Sequence, residues 1–221
     1  MVTANFKHFS NGSVSFLLDL KANNSRDWFQ ANKKTYEHAI KAPSKAFCVS
    51  FAERLRSLTG IEHEFKIFRI NRDVRFSKDK TPYNTHLRIS FFPLISVPIR
   101  PAWFFSLETD KLIFGAGVFM LAKEQLLTLR NRVDGIEGSQ LREILMELRT
   151  NSVRISDPEL KRVPAPFAKD HVRAELLKHK SLSAWHDFPN TNFATSKDLL
   201  PTLITKAQTI KPLFDWLGQP G

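Results

Sequence analysis

Hydrophobic positions recur at helical spacing through the first sixty residues. Phe16, Leu17 and Leu20 share one side of a segment from about Val14 to Lys21, which predicts a helix. Asn24 or Ser25 then offers a capping oxygen, with Asp27 early in the next turn, for a second helix over residues 26–40. A third follows Pro43, where Phe47, Phe51, Leu55 and Leu58 align and Gly60 closes the last turn. From Ile67 the period changes to two. Phe68, Ile70, Val74 and Phe76 alternate with Arg69, Asn71, Asp73, Arg75 and Ser77, Arg72 being the exception, as in a strand with one buried and one polar face. Thr85, Leu87, Ile89 and Phe91 against His86, Arg88 and Ser90 predict a second strand, and Trp103, Phe105 and Leu107 a third. Glu108 to Lys111 reads as a hairpin turn into a fourth strand over residues 112–119. Gly115 and Gly117 share one face of it and mark a bulge or the close approach of another group.

Beyond residue 120 the pattern is helical over 123–133, 139–149, 169–180 and 196–217. Pro201 is tolerable near the start of the last helix, and Pro212 should end or kink it. Asp157 to Pro166, with three prolines, reads as an extended connector. The fold class is therefore α+β, an antiparallel sheet of about four strands flanked by N-terminal and C-terminal helices, in one domain over residues 1–221.

Composition narrows the classes of function. The lone cysteine, Cys48, excludes an internal disulfide and a cysteine-built zinc site, and lies in an apolar helix pattern that reads as core. Residues 1–20 show no signal peptide, and no apolar run approaches the ~20 residues of a membrane span, so a cytoplasmic protein without membrane partners is expected. The net charge of +11 is dispersed: +5 over residues 1–60, +4 over 61–100, −2 over 101–160 and +4 over 161–221. No basic arm stands out, so nucleic-acid binding, if present, should be weak and independent of base sequence. HExxH, P-loop, GxGxxG and GxSxG patterns are all missing, and the histidines show no metal-ligand spacing. No motif names a cofactor or fixes the oligomeric state.

Candidate chemistry concentrates between Phe68 and Tyr83. Arg69, Arg72, Arg75, Lys78 and Lys80 stand among Asp73 and Asp79. On the strand reading, Arg69, Asn71, Asp73 and Arg75 project from one face, joined by His86, Arg88 and Ser90 if the next strand pairs in suitable register. Guanidinium forks suit carboxylate and phosphate geometry, and Asp73 can hold one of them in place. Ser77 to Tyr83 reads as a turn or lid lined by Lys78 and Lys80. The plainer reading is a solvated Arg–Asp network. Asn24, Trp28, Asn32 and Tyr36 recur every four residues on the second helix. They can wall a polar pocket over the sheet or serve as core aromatics with partnered amides. At His171, capping by the neighbouring Asp170 competes with a catalytic role.

The stretch from Phe68 to Tyr83 resembles the hallmark of the domain of unknown function 2461 family. So do Phe16 to Glu37, the Gly115-Ala-Gly117 strand, and Leu160 to His171 followed by Leu176-Leu177 and Lys180. The resemblance covers most of the chain. Two departures flank His171: Ala165-Pro166 stands where the family has a Gly between the Pro and the aromatic, and Val172 stands where it has a Pro. The resemblance implies no activity.

The leading functional expectation is a pocket for an anionic or phosphorylated small molecule, bound by Arg69, Arg75 and Arg88 with Asn71. Arg72, Lys78, Lys80, Tyr83, Asn24 and Trp28 complete the candidate ligand set. In an enzyme, Asp73 or His86 would move the proton, Tyr83 would donate a hydrogen bond and Lys80 would stabilise charge. A nucleic-acid binder and a non-catalytic scaffold are the alternatives.

Overall fold

The computed structural model describes residues 6–219. It is α+β, with a six-stranded antiparallel sheet in the order β1-β2-β3-β4-β6-β5. The strands are β1 (His63–Ile67), β2 (Leu87–Pro93), β3 (Ala102–Leu107), β4 (Leu112–Val118), β5 (Arg154–Ile155) and β6 (Leu182–Phe188). Two more strands are present than the sequence pattern indicated. Both β5 and β6 lie in stretches to which the sequence pattern assigned no element, on either side of the connector over 157–166 and the helix expected over 169–180. Arg154 pairs with Trp185 and Ile155 with Ala184. The predicted helix over 169–180 contracts to a single turn at Ala174–Leu177, α7. No helix among the described residues is long and apolar enough to cross a membrane.

By compactness the chain divides into two units. The first comprises residues up to Phe91, Phe104–Phe114 and Asp187–Ile204. Its helices are α1 (Asn11–Ala22), α2 (Arg26–Ala31), α3 (Lys33–Tyr36) and α4 (Ala42–Thr59). Phe47 and Phe51, one turn apart on α4, stack at 5.4 Å. Phe47 meets Phe105 at 4.6 Å, and Phe51 takes Phe91 and Phe114 edge-on at 5.2 and 5.6 Å. This ring cluster, buried throughout, takes five of the chain's 19 phenylalanines.

The predicted second helix is interrupted. Asn32 breaks it, and residues Glu37–Lys41 form a π turn that runs into α4. Pro43 has no N–H to offer the carbonyl of Ala39, four residues back. The buried hydroxyl of Ser13 donates to that carbonyl instead, at 2.6 Å. Gly60 ends α4 in the left-handed region, φ 74°, as its position predicted.

The second unit comprises Phe92–Trp103, Gly115–His186 and the chain from Thr205 onward. It holds α5 (Lys123–Asp134), α6 (Glu137–Thr150), α7 and most of α8 (Leu199–Gly218). Trp103 stacks on Phe214 at 4.4 Å. Pro212 lies inside α8 and does not end it. Both Pro212 and Gln208, whose carbonyl it leaves unserved, are exposed, so water can take that carbonyl.

Two arginines close helix ends in this unit. Arg132, buried, donates to the carbonyls of Trp216 at 2.5 Å, Gln219 at 3.3 Å and Leu217 at 3.5 Å. Its Nε donates to Glu137 at 2.7 Å, and its guanidinium carbon lies 4.1 Å from the centre of the Trp216 ring. Arg173 does the same for α5, donating to the carbonyls of Val133, Asp134 and Gly135 and to the Ser139 hydroxyl. Cations at helix C-termini also meet the negative end of the helix dipole.

The expected close approach at Gly115 and Gly117 is found. A Cβ on Gly115 would stand 2.1 Å from the Ala184 carbonyl oxygen, and one on Gly117 2.3 Å from that of Leu182. Gly12, at the start of α1, has nothing nearer than the Ser10 hydroxyl at 3.4 Å. Thermal melts should therefore separate two substitutions of the same kind. Gly117→Ala should destabilise by about 3 kcal/mol through forced backbone displacement, whereas Gly12→Ala should be neutral or stabilise by up to about 1 kcal/mol. Equal losses for the two would contradict this packing.

Candidate functional site

The segment from Phe68 to His86, the densest in candidate chemistry, is not a sheet strand. β1 ends at Ile67, and the chain then folds back on itself as an irregular ribbon. Two backbone rungs hold it, Arg72 N to Pro82 O at 2.8 Å and Asn84 N to Ile70 O at 2.7 Å, around a single bridge between Asn71 and Tyr83. The alternation that predicted a strand buries little here. Ile70 is buried, Phe68 is 44% exposed, and Phe76, expected in the core, is 96% exposed. Arg69, Asn71, Asp73 and Arg75 accordingly do not share one sheet face.

The ribbon is fastened from the turn between α1 and α2. Ser25 caps α2 by accepting from Trp28 N at 3.3 Å, which leaves the Asn24 side chain free for another role. Its amide nitrogen donates to Tyr83 O at 2.9 Å, and its carbonyl oxygen accepts from Tyr83 N at 3.1 Å. A carboxamide presents donor and acceptor side by side, as a strand backbone does, so Asn24 supplies Tyr83 with the partner that a neighbouring strand would give. The Tyr83 ring, 5% exposed, stacks on Phe29 at 4.2 Å. Trp28 and Tyr36 turn elsewhere, each 5.8 Å from Phe16, and act as packing aromatics. Asn32 donates to Trp28 O at 2.9 Å.

Arg72 was the exception to the alternation, and its guanidinium turns into the ribbon. Nη1 donates to Asp79 Oδ2 at 2.5 Å, to Thr81 O at 3.2 Å and to the Thr81 hydroxyl. Asp79 also accepts from Thr81 N at 2.9 Å. The Thr81 amide, then Arg72 and the Thr81 hydroxyl, lower the Asp79 carboxyl to about 2. Lys80 donates to Val74 O at 3.0 Å and so staples the turn. Asp73 and Arg75 form a two-pronged pair at 3.0 and 2.7 Å on the exposed side, which holds the Asp73 carboxyl below its usual range.

A cavity of about 430 Å³ opens beside this fastening, lined by Lys21, Asn24, Arg72, Asp79, Thr81, Tyr83, Asn84, Thr85 and His86. Of the residues anticipated for a ligand site, the structure gathers Asn24, Arg72, Tyr83 and His86. Arg69, Asn71, Asp73, Arg75, Lys78, Lys80, Arg88 and Trp28 lie outside this lining. Lys21, Thr81, Asn84 and Thr85 join the cavity without having been anticipated as ligand contacts. Lys21 belongs to the last turn of α1, just before the chain reversal at Asn23–Asn24. His86 is half-buried. Burial, then the cations Arg88 and Arg72, push its pKa down against an opposing pull from Glu108, so it is neutral at pH 7. No three His, Cys, Asp or Glu side chains among the described residues form a group that could hold a metal ion.

Two other sequence candidates have structural roles. His171 Nε2 meets Asp134 at 3.0 Å, and its Nδ1 accepts from Arg173 N at 3.0 Å, so both ring nitrogens are engaged in bracing the α5 terminus. Cys48 is buried, and burial pushes its thiol up to about 12, which removes it as a nucleophile.

An antiparallel α+β fold with a clamped ribbon beside a polar cavity thus defines the class. The chain belongs to the family of conserved hypothetical proteins DUF2461, whose model matches residues 12–216. No curated protein matches the chain.

The Asp79 fastening has a pH signature. A carboxylate whose pKa is depressed on folding contributes stability that is fully present above its unfolded pKa, about 4. That contribution is lost as pH falls from there through about 2. An NMR titration should place the Asp79 midpoint near 2 in the wild type. In Arg72→Gln it should move up yet stay below 4, because the Thr81 amide still donates. A wild-type midpoint near 4 would contradict the ribbon geometry.

Proposed function

We propose that the cavity beside the ribbon binds a small anionic ligand, a phosphorylated or carboxylated metabolite, with Lys21 and Arg72 as its charged contacts. The observation that carries this reading is the charge of the lining. Two cations, Lys21 and Arg72, share the lining with one carboxylate, Asp79, and a neutral imidazole, and Arg88 adds to the local positive field. Arg72 uses Nη1 for Asp79 and Thr81 and Nη2 for the Ser77 hydroxyl at 3.5 Å, while its Nε donates to no group among the described residues. That leaves part of a guanidinium fork for a second anion, already oriented by the first. The volume suits a small metabolite. Asn84, Thr85 and Tyr83 supply polar or aromatic walls that can orient sugar or hydroxyl groups.

If the bound group reacts, His86 is the residue placed to accept a proton. It is neutral at pH 7 and lines the cavity. Arg69, Arg75, Lys78 and Arg88 contribute to the surrounding field rather than to direct contact, and Asp73 is occupied by Arg75.

Thermal shift at constant ionic strength tests the reading, with inorganic phosphate, pyrophosphate and citrate as probes. The wild type should be stabilised saturably by at least one of them, reaching about 2.7 kcal/mol at a hundredfold excess over its dissociation constant. Lys21→Ala should weaken that affinity about tenfold, the effect of one charge-assisted hydrogen bond, with little change in the melt without ligand. Linear, unsaturable shifts with all three anions, or full retention of binding in Lys21→Ala, would count against the site.

A further inference from the structure

We propose that the outer side of the ribbon is a docking surface for single-stranded nucleic acid, with Phe68 and Phe76 stacking on bases and the surrounding cations contacting phosphates. None of these residues lines the cavity described above, so the proposal stands or falls separately from small-ligand binding.

The first observation is the pair of exposed rings. Phe76 sits at the ribbon tip, 96% exposed, and Phe68 lies at its base, 44% exposed. An apolar ring left in water gains stabilisation wherever it is covered. Scattered surface phenylalanines are ordinary, but these two share a single excursion of chain, and each has a cation beside it. Lys66 Nζ stands 5.1 Å from the Phe68 ring, and the Arg75 guanidinium 5.9 Å from the Phe76 ring.

The second observation is charge. Between Lys66 and Arg88 the chain carries seven Lys and Arg against two Asp, leaving five net positive charges. The structure sorts these cations. Arg72 and Lys80 are spent inside the ribbon, and Arg75 is paired with Asp73. Lys66, Arg69, Lys78 and Arg88 are exposed, which provides four phosphate contacts. Stacking platforms spaced among cations are how single strands are held without reading their sequence, because every base has a π-face and every nucleotide a phosphate. A membrane surface would use the same cations but needs more inserted apolar area than these two rings. At this tip Phe76 is flanked by Arg75, Ser77 and Lys78.

The test is fluorescence anisotropy with a labelled twelve-nucleotide dT strand and its abasic counterpart, from 25 to 200 mM salt, together with anionic vesicles of phosphatidylserine and phosphatidylcholine. The wild type should bind the dT strand with a log–log salt slope of about −3, four phosphates at ~0.7 each. Phe76→Ala should weaken binding about 5- to 100-fold while leaving the melting temperature and the salt slope unchanged. The abasic strand should bind the wild type no better than dT binds Phe76→Ala. Lys78→Ala should flatten the slope by about 0.7. Failure of the wild type to bind at 50 mM salt would overturn the proposal. So would undiminished binding by Phe76→Ala, equal affinity for the abasic strand, or Phe76-dependent capture by vesicles without binding to the strand.

Discussion

The carboxamide of Asn24 takes the place of a missing strand. Fifty-nine residues along the chain, Tyr83 exposes an N–H and a C=O that no sheet neighbour serves, and the Asn24 side chain meets both. A backbone group that loses water without gaining a partner costs about 1–3 kcal/mol, so the position of the whole ribbon depends on this pair. Once Tyr83 is fixed and its ring lies on Phe29, the rungs at Ile70 and Arg72 can form, the Arg72 guanidinium turns inward to Asp79, and the cavity acquires its wall. Ser25 makes this possible by taking the capping role that either residue could have filled.

Guanidinium groups recur as connectors. Arg72 closes a turn, Arg132 closes the end of α8, and Arg173 closes the end of α5, each by donating to several oxygens at once. Five donors in one rigid plane suit this work better than an ammonium does. The chain's positive charge therefore divides into cations that organise backbone and cations left in solvent. The second group is the one left to meet a polyanion, while Lys21 and Arg72 line the cavity.

Much of this architecture is written in periodicity. Phe47, Phe51 and Leu55 announced α4, and Gly60 its end. Leu87, Ile89 and Phe91 announced β2, and Glu108–Lys111 turned where the hairpin was expected, with Glu108 N bonded to Lys111 O at 2.9 Å. β6 escaped because Ser183 and His186 are buried along with Leu182 and Ala184, so no polar face marks it as a strand. The ribbon misled in the opposite direction. Its alternation is regular apart from Arg72, but two rungs and a clamp hold the backbone without a sheet, and its phenylalanines remain outside. Asn24, Arg72, Tyr83 and His86 were all visible as chemistry. Their convergence with Lys21 was not, because it arises from one chain reversal and one side-chain-to-backbone pairing, which leave no periodic trace.

Amide hydrogen exchange in Asn24→Ala measures the dependence directly. If the carboxamide holds the ribbon, protection should fall together at Tyr83, Arg72 and Asn84, while the amides of β2 and α4 keep wild-type rates, since the ribbon would open as one unit. Loss of protection at Tyr83 alone, with Arg72 and Asn84 unchanged, would show that the ribbon stands without its clamp.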